Sequence, residues 1–307
     1  MQLSDEEKQI FCEVSGDFQI PEGAYNFRVN GKSVGRKSTA NIDVEPKENS
    51  SGLDIYIKKG TQNEAVHIPV AISVTGLEET VYNDFHIGEN SDVTIIAGCG
   101  IYNCGPTDSV HNGVHRFFVG KNSKVKYVEK HYGFGPGHGG KILNPVTEVH
   151  LEKGSEAILE LEQIKGVDST IRKTLADLAD DAKLFVKERL FTHGRQTAES
   201  IYEVNLNGQD STADIASRSI AQDFSQQTFK ATIIGNNKCR GHSACDAIIM
   251  DEAKVHAIPA LDARTKDAEL IHEAAIGKLA SDQIEKLMTL GLTKKEAESK
   301  IINGFLR

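Results

Sequence analysis

Two groups of thiol, imidazole and carboxylate residues carry most of the chemistry this sequence could do. Cys99 and Cys104, followed by His111 and His115, form a C-x4-C, H-x3-H series within seventeen residues. Thiolate with imidazole is the ligand set that zinc or iron prefers. The two histidines need not face the same way, because strand alternation favours even spacings but a turn can reverse either residue. His131 in YVEKHYG and the nearby His138 add imidazoles to this region. The competing reading is a buried thiol pair with surface histidines. The second group lies in KCRGHSACDAIIM, where Cys239 and Cys245 flank Arg240 and His242. A thiol near cationic groups is held more readily as thiolate, the form that attacks sulfur and binds metal. Cys245 could equally be a small apolar residue entering a strand, since free cysteine is among the most buried residue types. Further on, ELIHEAAIG pairs His272 with Glu273. A third pattern, GPGHGGK from Gly135 to Lys141, matches the glycines and lysine of a phosphate-binding loop, but Ile142 stands where Ser or Thr must hold magnesium. Asn144-Pro145 also forbids the helix that must follow, so a flexible glycine loop between structural repeats is expected instead.

The elements that must position these residues are legible as a repeat. IGENSDVTII, VGKNSKVKYV and LEKGSEAILE place Ser91, Ser123 and Ser155 at intervals of 32 residues, each after a Gly or Asn corner and before an alternating run. LADDAKLFVK and MDEAKVHAIP echo the pattern at looser spacing. Short strands at a fixed period imply stacked coils, a solenoid in preference to an irregular sandwich, each coil burying its inner face on its neighbours. Near the end, Ser281 with Ile284, Leu287 and Met288 has helical spacing, Gly291 suits a left-handed cap, and Thr293 to Glu296 is a capping-box pattern before Ala297, Ile301, Ile302 and Phe305. Two amphipathic helices in a hairpin must cover the solenoid end or a partner. Asn26 to Ser51, rich in Gly, Lys, Ser and Asn, reads as an N-terminal strand or cap followed by mobile connections. The expected divisions are 1–50 for that N-terminal region, 51–265 for the β-helix core and 266–307 for the helical domain.

Composition narrows the function classes. The 307 residues are 39% hydrophobic and 26% charged with 7 prolines, which is the make-up of a folded chain. The net charge of -9 and the lack of Lys/Arg clusters argue against nucleic acid, and no apolar run approaches the roughly 20 residues of a membrane helix. The start lacks a signal peptide's order of basic then apolar residues, so the expected compartment is the cytoplasm, where five sparse cysteines (Cys12 is the fifth) read as thiols or ligands.

The order ACDAII, Pro259, IHEAAIGKL, DQIEKLMTLGL and EAESKIINGF resembles the tail of the SufB/SufD family, most closely from about Arg218 to Phe305. FFVGKNSKVKYVEKHYG resembles the family's core strands more weakly, and little before about Val81 can be matched. The resemblance implies a mainly β fold, a right-handed parallel β-helix with a C-terminal helical domain that docks the ABC-type ATPase SufC. It also implies a scaffold role in iron-sulfur cluster assembly, and the chain looks like a minimal, short SufB-like member lacking the long helical N-terminal domain. Carried over by position, Cys245 falls on the family's cluster-building cysteine. His272 and Glu273 fall on the last two members of a Glu-His-Glu motif whose first member is here Ile271. That Glu after His272 favours SufB over SufD. The family's sulfur-entry cysteine aligns with His131, which cannot carry a persulfide, so sulfur would enter at Cys245, Cys239, Cys99 or Cys104.

The expectation is therefore a transient cluster held by Cys245, His272 and Glu273 in a homodimer, without catalytic turnover of its own, served by a SufC-like ATPase, a sulfur donor and a cluster acceptor. One thiolate per chain cannot hold a four-iron cluster alone, which is the argument for two copies. The competing expectations are a zinc or iron protein using Cys99, Cys104, His111 and His115, with His131 and Cys239 as further donors, and a structural ATPase partner that holds no cluster.

Overall fold

The structure is a computed structural model and describes residues 3–16, 20–279 and 281–306. Two sheets face each other. Sheet A runs β2 (Lys32–Lys37), β1 (Ala24–Val29), β5 (Gln62–Ile72), β7 (Asp92–Tyr102), β9 (Lys124–Phe134), β12 (Glu156–Lys165), β14 (Lys183–Thr192), β16 (Ser211–Ala221), β18 (Cys239–Ile249) and β20 (Ala268–Lys278). Sheet B runs β19 (Lys254–Ala263), β17 (Gln226–Gly235), β15 (Thr197–Leu206), β13 (Ser169–Leu178), β10 (Lys141–Leu143), β8 (Ser109–Val119), β6 (Glu78–Ile87), β4 (Gly52–Ile57) and β3 (Ile42–Pro46), with β11 (Val146–Leu151) between β8 and β13. From β4 onwards consecutive strands alternate between the sheets, apart from the split pair β10 and β11, and neighbours within a sheet are parallel. This is the expected solenoid, of about eight turns.

The corner residues explain the repeat. Asn90, Asn122 and Gly154 hold φ of 57, 54 and 69° immediately before Ser91, Ser123 and Ser155, a left-handed conformation that Asn and Gly reach most cheaply. The serines are buried and stack, Ser91 N–H donating to Ser123 Oγ at 3.1 Å and Ser123 Oγ to the Gly88 carbonyl at 2.8 Å. Lys124 pairs with Glu156 at the 32-residue interval, whereas Glu156 pairs with Lys183 and the period contracts. The contraction follows the opposite corner, wide at 103–108 and 135–140 but reduced to 166–168 in the next coil. Inside, Val93, Ile95, Val125, Tyr127, Leu159, Phe85 and Phe117 fill one continuous core, and the Phe85 and Phe117 rings stack at 4.6 Å.

Three segments differ from expectation. Residues 26–51 carry three strands joined by short connections: β1 and β2 form an antiparallel hairpin whose turn, Asn30-Gly31, has φ of 47 and 80°, the signature of an Asn-Gly turn, and β3 pairs antiparallel with β4. Before them lies a helix, α1 (Asp5–Ser15), started by a reciprocal Ser4–Glu7 capping box. Its Ile10, Phe11 and Val14 pack on Phe27, Val29, Ala71 and Tyr132. The approach needs bare backbone in β7, since a side-chain carbon on Gly100 would sit 2.4 Å from Ile10 and one on Gly98 2.9 Å from Val14. The third segment is 268–278, grouped with the helices by sequence but in fact the last strand of sheet A. The helices are α2 (Ser281–Thr289) and α3 (Lys294–Phe305), with Gly291 at φ 93° and the Thr293–Glu296 capping box as the sequence indicates. They pack on each other, and neither is packed extensively on a strand among the described residues.

Candidate functional site

Period-two alternation turns one residue in two into the solenoid, so chemistry can be built inside it from rows of aligned inward residues. One such row in sheet A reads Ala97, Glu129, Leu161, Glu188, Ser217, Cys245 and Ala274 from coil to coil. Glu129 and Glu188 are buried, and Arg172 from β13 reaches across to both, bonding Glu129 directly and lying 3.8 Å from Glu188. Burial alone would raise the Glu129 carboxyl, but Arg172 together with His131 and His115 outweighs it and holds Glu129 well below the usual carboxylate range. Ser217 Oγ donates to Glu188 at 2.6 Å and Tyr127 Oη to Glu129 at 2.8 Å. Sequence reasoning missed Glu129, Arg172 and Glu188. For Glu129 the signal was available, since it shares the parity of Val125 and Tyr127, whereas the strands of Arg172 and Glu188 carry apolar residues such as Ile171 and Phe185 on both faces and hide it.

At the open end of that row, Cys245 is buried on β18 and His272 lies on β20. Both face inward; Ser243, two residues before Cys245, pairs with His272 and bonds its Nδ1 at 2.7 Å. Glu273 pairs with Ala244 and faces outward with Ile271, so the structure brings Cys245 and His272 to one face and sets Glu273 on the other. The cations expected to favour a thiolate also point outward. Arg240 pairs with Glu269 at 3.2 Å, and His242 Nδ1 bonds Asp214 at 2.8 Å. Burial, then Glu188 and Asp246, push the Cys245 thiol up to about 12, the reverse of the sequence expectation. Burial raises Cys239 as well. Burial therefore favours the Cys245 thiol over the thiolate.

The other series is divided. Cys99, His111, His115 and His131 face inward and line a small cavity of about 20 Å³, whereas Cys104 is exposed on the 103–108 corner. Cys99 pairs with His131 across β7 and β9, and His111 and His115 share a face because β8 runs straight through both. His131 is occupied, its Nδ1 accepting from Arg172 at 3.3 Å and its Nε2 lying 3.7 Å from Glu129. Burial drives His115 down to about 4 and Cys99 well above its ordinary range, so both are neutral near pH 7. Asp54, Asp84 and His86 offer ligand atoms within 4.8 Å of one another, but Lys47 bonds both carboxylates and Arg116 grips Asp84 through two bonds of 2.7 Å. The GPGHGGK loop is not free to cradle phosphate. Gly137 and Gly139 N–H donate to the Asn103 and Gly105 carbonyls of the preceding coil, and a side-chain carbon on Gly137 would come within 2.5 Å of Gly105.

The model of a family described as SUF system FeS cluster assembly, SufBD core domain, matches residues 79–305, from the start of β6 through α3. The chain belongs to the SufBD family. An iron-sulfur cluster assembly SufBD family protein of Methanocaldococcus jannaschii is 29% identical over 86% of this chain and 84% of its own length. Family members from Archaeoglobus fulgidus and Pyrococcus horikoshii are 30% and 26% identical over 82% and 90% of this chain, covering 68% and 84% of theirs. Membership gives the chain a role in iron-sulfur cluster assembly. The SufBD match begins close to Val81, where the resemblance read from sequence also begins, and leaves out α1 and the β1–β2 hairpin. None of the helices described is long and apolar enough to cross a membrane.

Proposed function

We propose that this SufBD chain is a scaffold on which an iron-sulfur cluster is built as cargo between two copies joined at the open end of the solenoid. The observation that carries the reading is that Cys245 and His272, the partner of Ser243, share the inner face of the last two strands of sheet A, next to an edge that no further strand among the described residues covers. One thiol and one imidazole are too few for a cluster of two or four irons, so a second chain supplies the remainder, and a mixed donor set suits cargo that must be released. Ile258, Leu261, Ile271 and Ile276 are exposed on β19 and β20, which gives the terminal edges an apolar surface for a second copy. Glu273, on the outer face, belongs to that surface rather than to the Cys245 donor set. The chain itself carries out no turnover in this reading. An ABC-type ATPase docks on α2–α3, whose Leu290 is 75% exposed, and its closure opens the scaffold interface to admit iron and sulfur and release the product.

The test is anaerobic reconstitution of the chain and its ATPase with iron and sulfide, read by visible and Mössbauer spectra. Iron-sulfur absorption in the wild type that is lost in Cys245→Ser, with folding and ATPase binding retained, is the expected result. A normal cluster yield in that variant removes Cys245 from the mechanism.

A further inference from the structure

The outer face of sheet A, which the proposed cluster site does not use, carries a pocket of about 490 Å³ whose lining includes Glu160, Lys187, Arg189, Ala216 and Arg218. Strand register builds it. Arg189 on β14 pairs directly with Arg218 on β16, and Lys187 stands two residues before Arg189 on the same outward face. Neighbouring strands lie about 4.8 Å apart and successive outward residues of one strand about 7 Å apart, so three cationic side chains rise from one small area. Lys187 pairs with Ala216, which pairs with Ala244, and these two small residues leave open the space that the cations overlook. Like charges directly opposite one another on paired strands are unfavourable, and here the chain relieves them only in part. Glu162 takes Arg189 at 3.0 Å, while Glu160 is taken by Lys126 at 3.0 Å. Neither Lys187 nor Arg218 has a hydrogen bond or ion pair among the described residues, although Asp246 is the register partner of Arg218. Two unpaired cations beside a third are conspicuous in a chain whose net charge is -9.

The donor set indicates which anion completes it. A carboxylate is planar, carries one charge and is matched by a single guanidinium. A phosphoryl group carries up to two charges and presents three oxygens in different directions, which suits an ammonium and two guanidinium forks. We infer that this pocket binds the phosphoryl group of a small phosphorylated molecule, with Lys187 and Arg218 as its principal partners and Arg189, shared with Glu162, as the third. The volume is that of a small-molecule site. Ala216 and the aliphatic stems of Lys187 and Arg189 offer apolar contact to the rest of the ligand. Glu188, which also borders the pocket, is turned inward and bonded by Ser200 and Ser217, so its charge is not presented to the anion. Glu160 is presented, on the side where Lys126 holds it, and can accept a hydroxyl of the ligand away from the phosphoryl group. The inference does not depend on where a cluster is built.

The test is calorimetric titration of the full-length chain at low ionic strength, without any ATPase, iron or sulfide. The probes are inorganic phosphate, ADP, and acetate as the planar, singly charged control. Saturable binding of one phosphate or one ADP per chain is expected, weakening as salt is added. ADP binding at least about tenfold tighter than phosphate assigns the rest of the pocket to a nucleoside, and equal binding assigns the site to the phosphoryl group alone. Lys187→Gln and Arg218→Gln should each weaken binding about tenfold, with circular dichroism unchanged because both side chains are exposed. Arg218→Lys keeps the charge but loses the fork, and should restore only part of the affinity. Lys173→Gln removes the same charge from an exposed position of β13 in sheet B and should leave binding as it was. Binding of neither phosphate nor ADP overturns the site, as does acetate held as tightly as phosphate, or an equal loss in Lys173→Gln and Arg218→Gln.

Discussion

The middle and the last coils of the solenoid use the same aligned row in opposite ways. In the middle, the row carries Glu129 and Glu188, closed over by Arg172 and neighbouring hydroxyls. At the end it carries Cys245 and Ala274, with Ser243 and His272 in the adjacent inward row and strand edges that no further strand among the described residues covers. A stacked fold gives every inward position a neighbour above and below except in its terminal coils, so charge can be neutralised internally in the middle and must be met from outside at the end. The difference teaches where this fold can keep a polar group permanently and where it can offer one to something that comes and goes.

The sharpest way to break the comparison is to remove the central cation. Arg172→Met leaves Glu129 and Glu188 buried without their partner, and the loss of one member of a buried ion pair costs about 3–5 kcal/mol. Chemical denaturation should show a large fall in midpoint, and Glu129→Gln added to Arg172→Met should recover part of it. A loss below 1 kcal/mol would mean that the middle of the row is not held by charge.

A paired glycine experiment comes next in size. Gly137→Ala drives a methyl group into the Gly105 backbone, an overpacking that costs about 1–3 kcal/mol. Gly277→Ala, on β20, meets no atom within 4 Å and should change stability by no more than about 0.5 kcal/mol. Thermal unfolding of the two variants reports directly how much tighter the middle coils are than the last.

Acid sharpens the same contrast. Burial would raise Asp84, but hydrogen bonds from Arg116 and Lys47 outweigh it and hold it below its ordinary value of 3.8. A depressed native value means that the unfolded state takes up the proton first. The contribution is therefore complete above the ordinary aspartate range and is lost as pH falls through the lower native value. Asp84→Asn should flatten this acid-side loss, of order 1 kcal/mol or less because Arg116 is partly exposed, in unfolding curves measured between pH 5 and about 2.

Much of the architecture was legible because corner chemistry repeats visibly: Asn90-Ser91 and Asn122-Ser123 announce coils in a way that any 32-residue window reveals. The N-terminal elements carried equally good signals, the Ser4–Glu7 capping box and the Asn30-Gly31 turn, but local signals without a repeat are easily read as loop. At the site, strand parity correctly joins His111 with His115 and Cys245 with the face that His272 shares. It also divides what sequence proximity joins, since Glu273 is adjacent to His272 and therefore faces the other way. Arg240 and His242 mislead for that reason too: nearness in sequence to Cys245 is opposition in a strand, and their charges are taken by Glu269 and Asp214. The partners of Cys245 inside the row, Ser217 and Glu188, come from strands 28 and 57 residues away and become visible only when the register is known.

The smallest expected change in stability tests the other side of the comparison, the end that is proposed to meet a second copy. Ile271 is 55% exposed on the outer face of β20, so Ile271→Asp removes little buried apolar area and should leave the isolated chain within about 0.5 kcal/mol of wild type. In a dimer joined at this edge the same charge would be desolvated without a partner, and association should fall by at least tenfold in sedimentation experiments. Val34→Asp, at the opposite end of sheet A on the exposed β2, supplies the matched control, because it adds the same charge at an edge with no proposed role. Equal effects of the two substitutions would make the last coil an ordinary edge; loss confined to Ile271→Asp would tie association to the strand that carries His272.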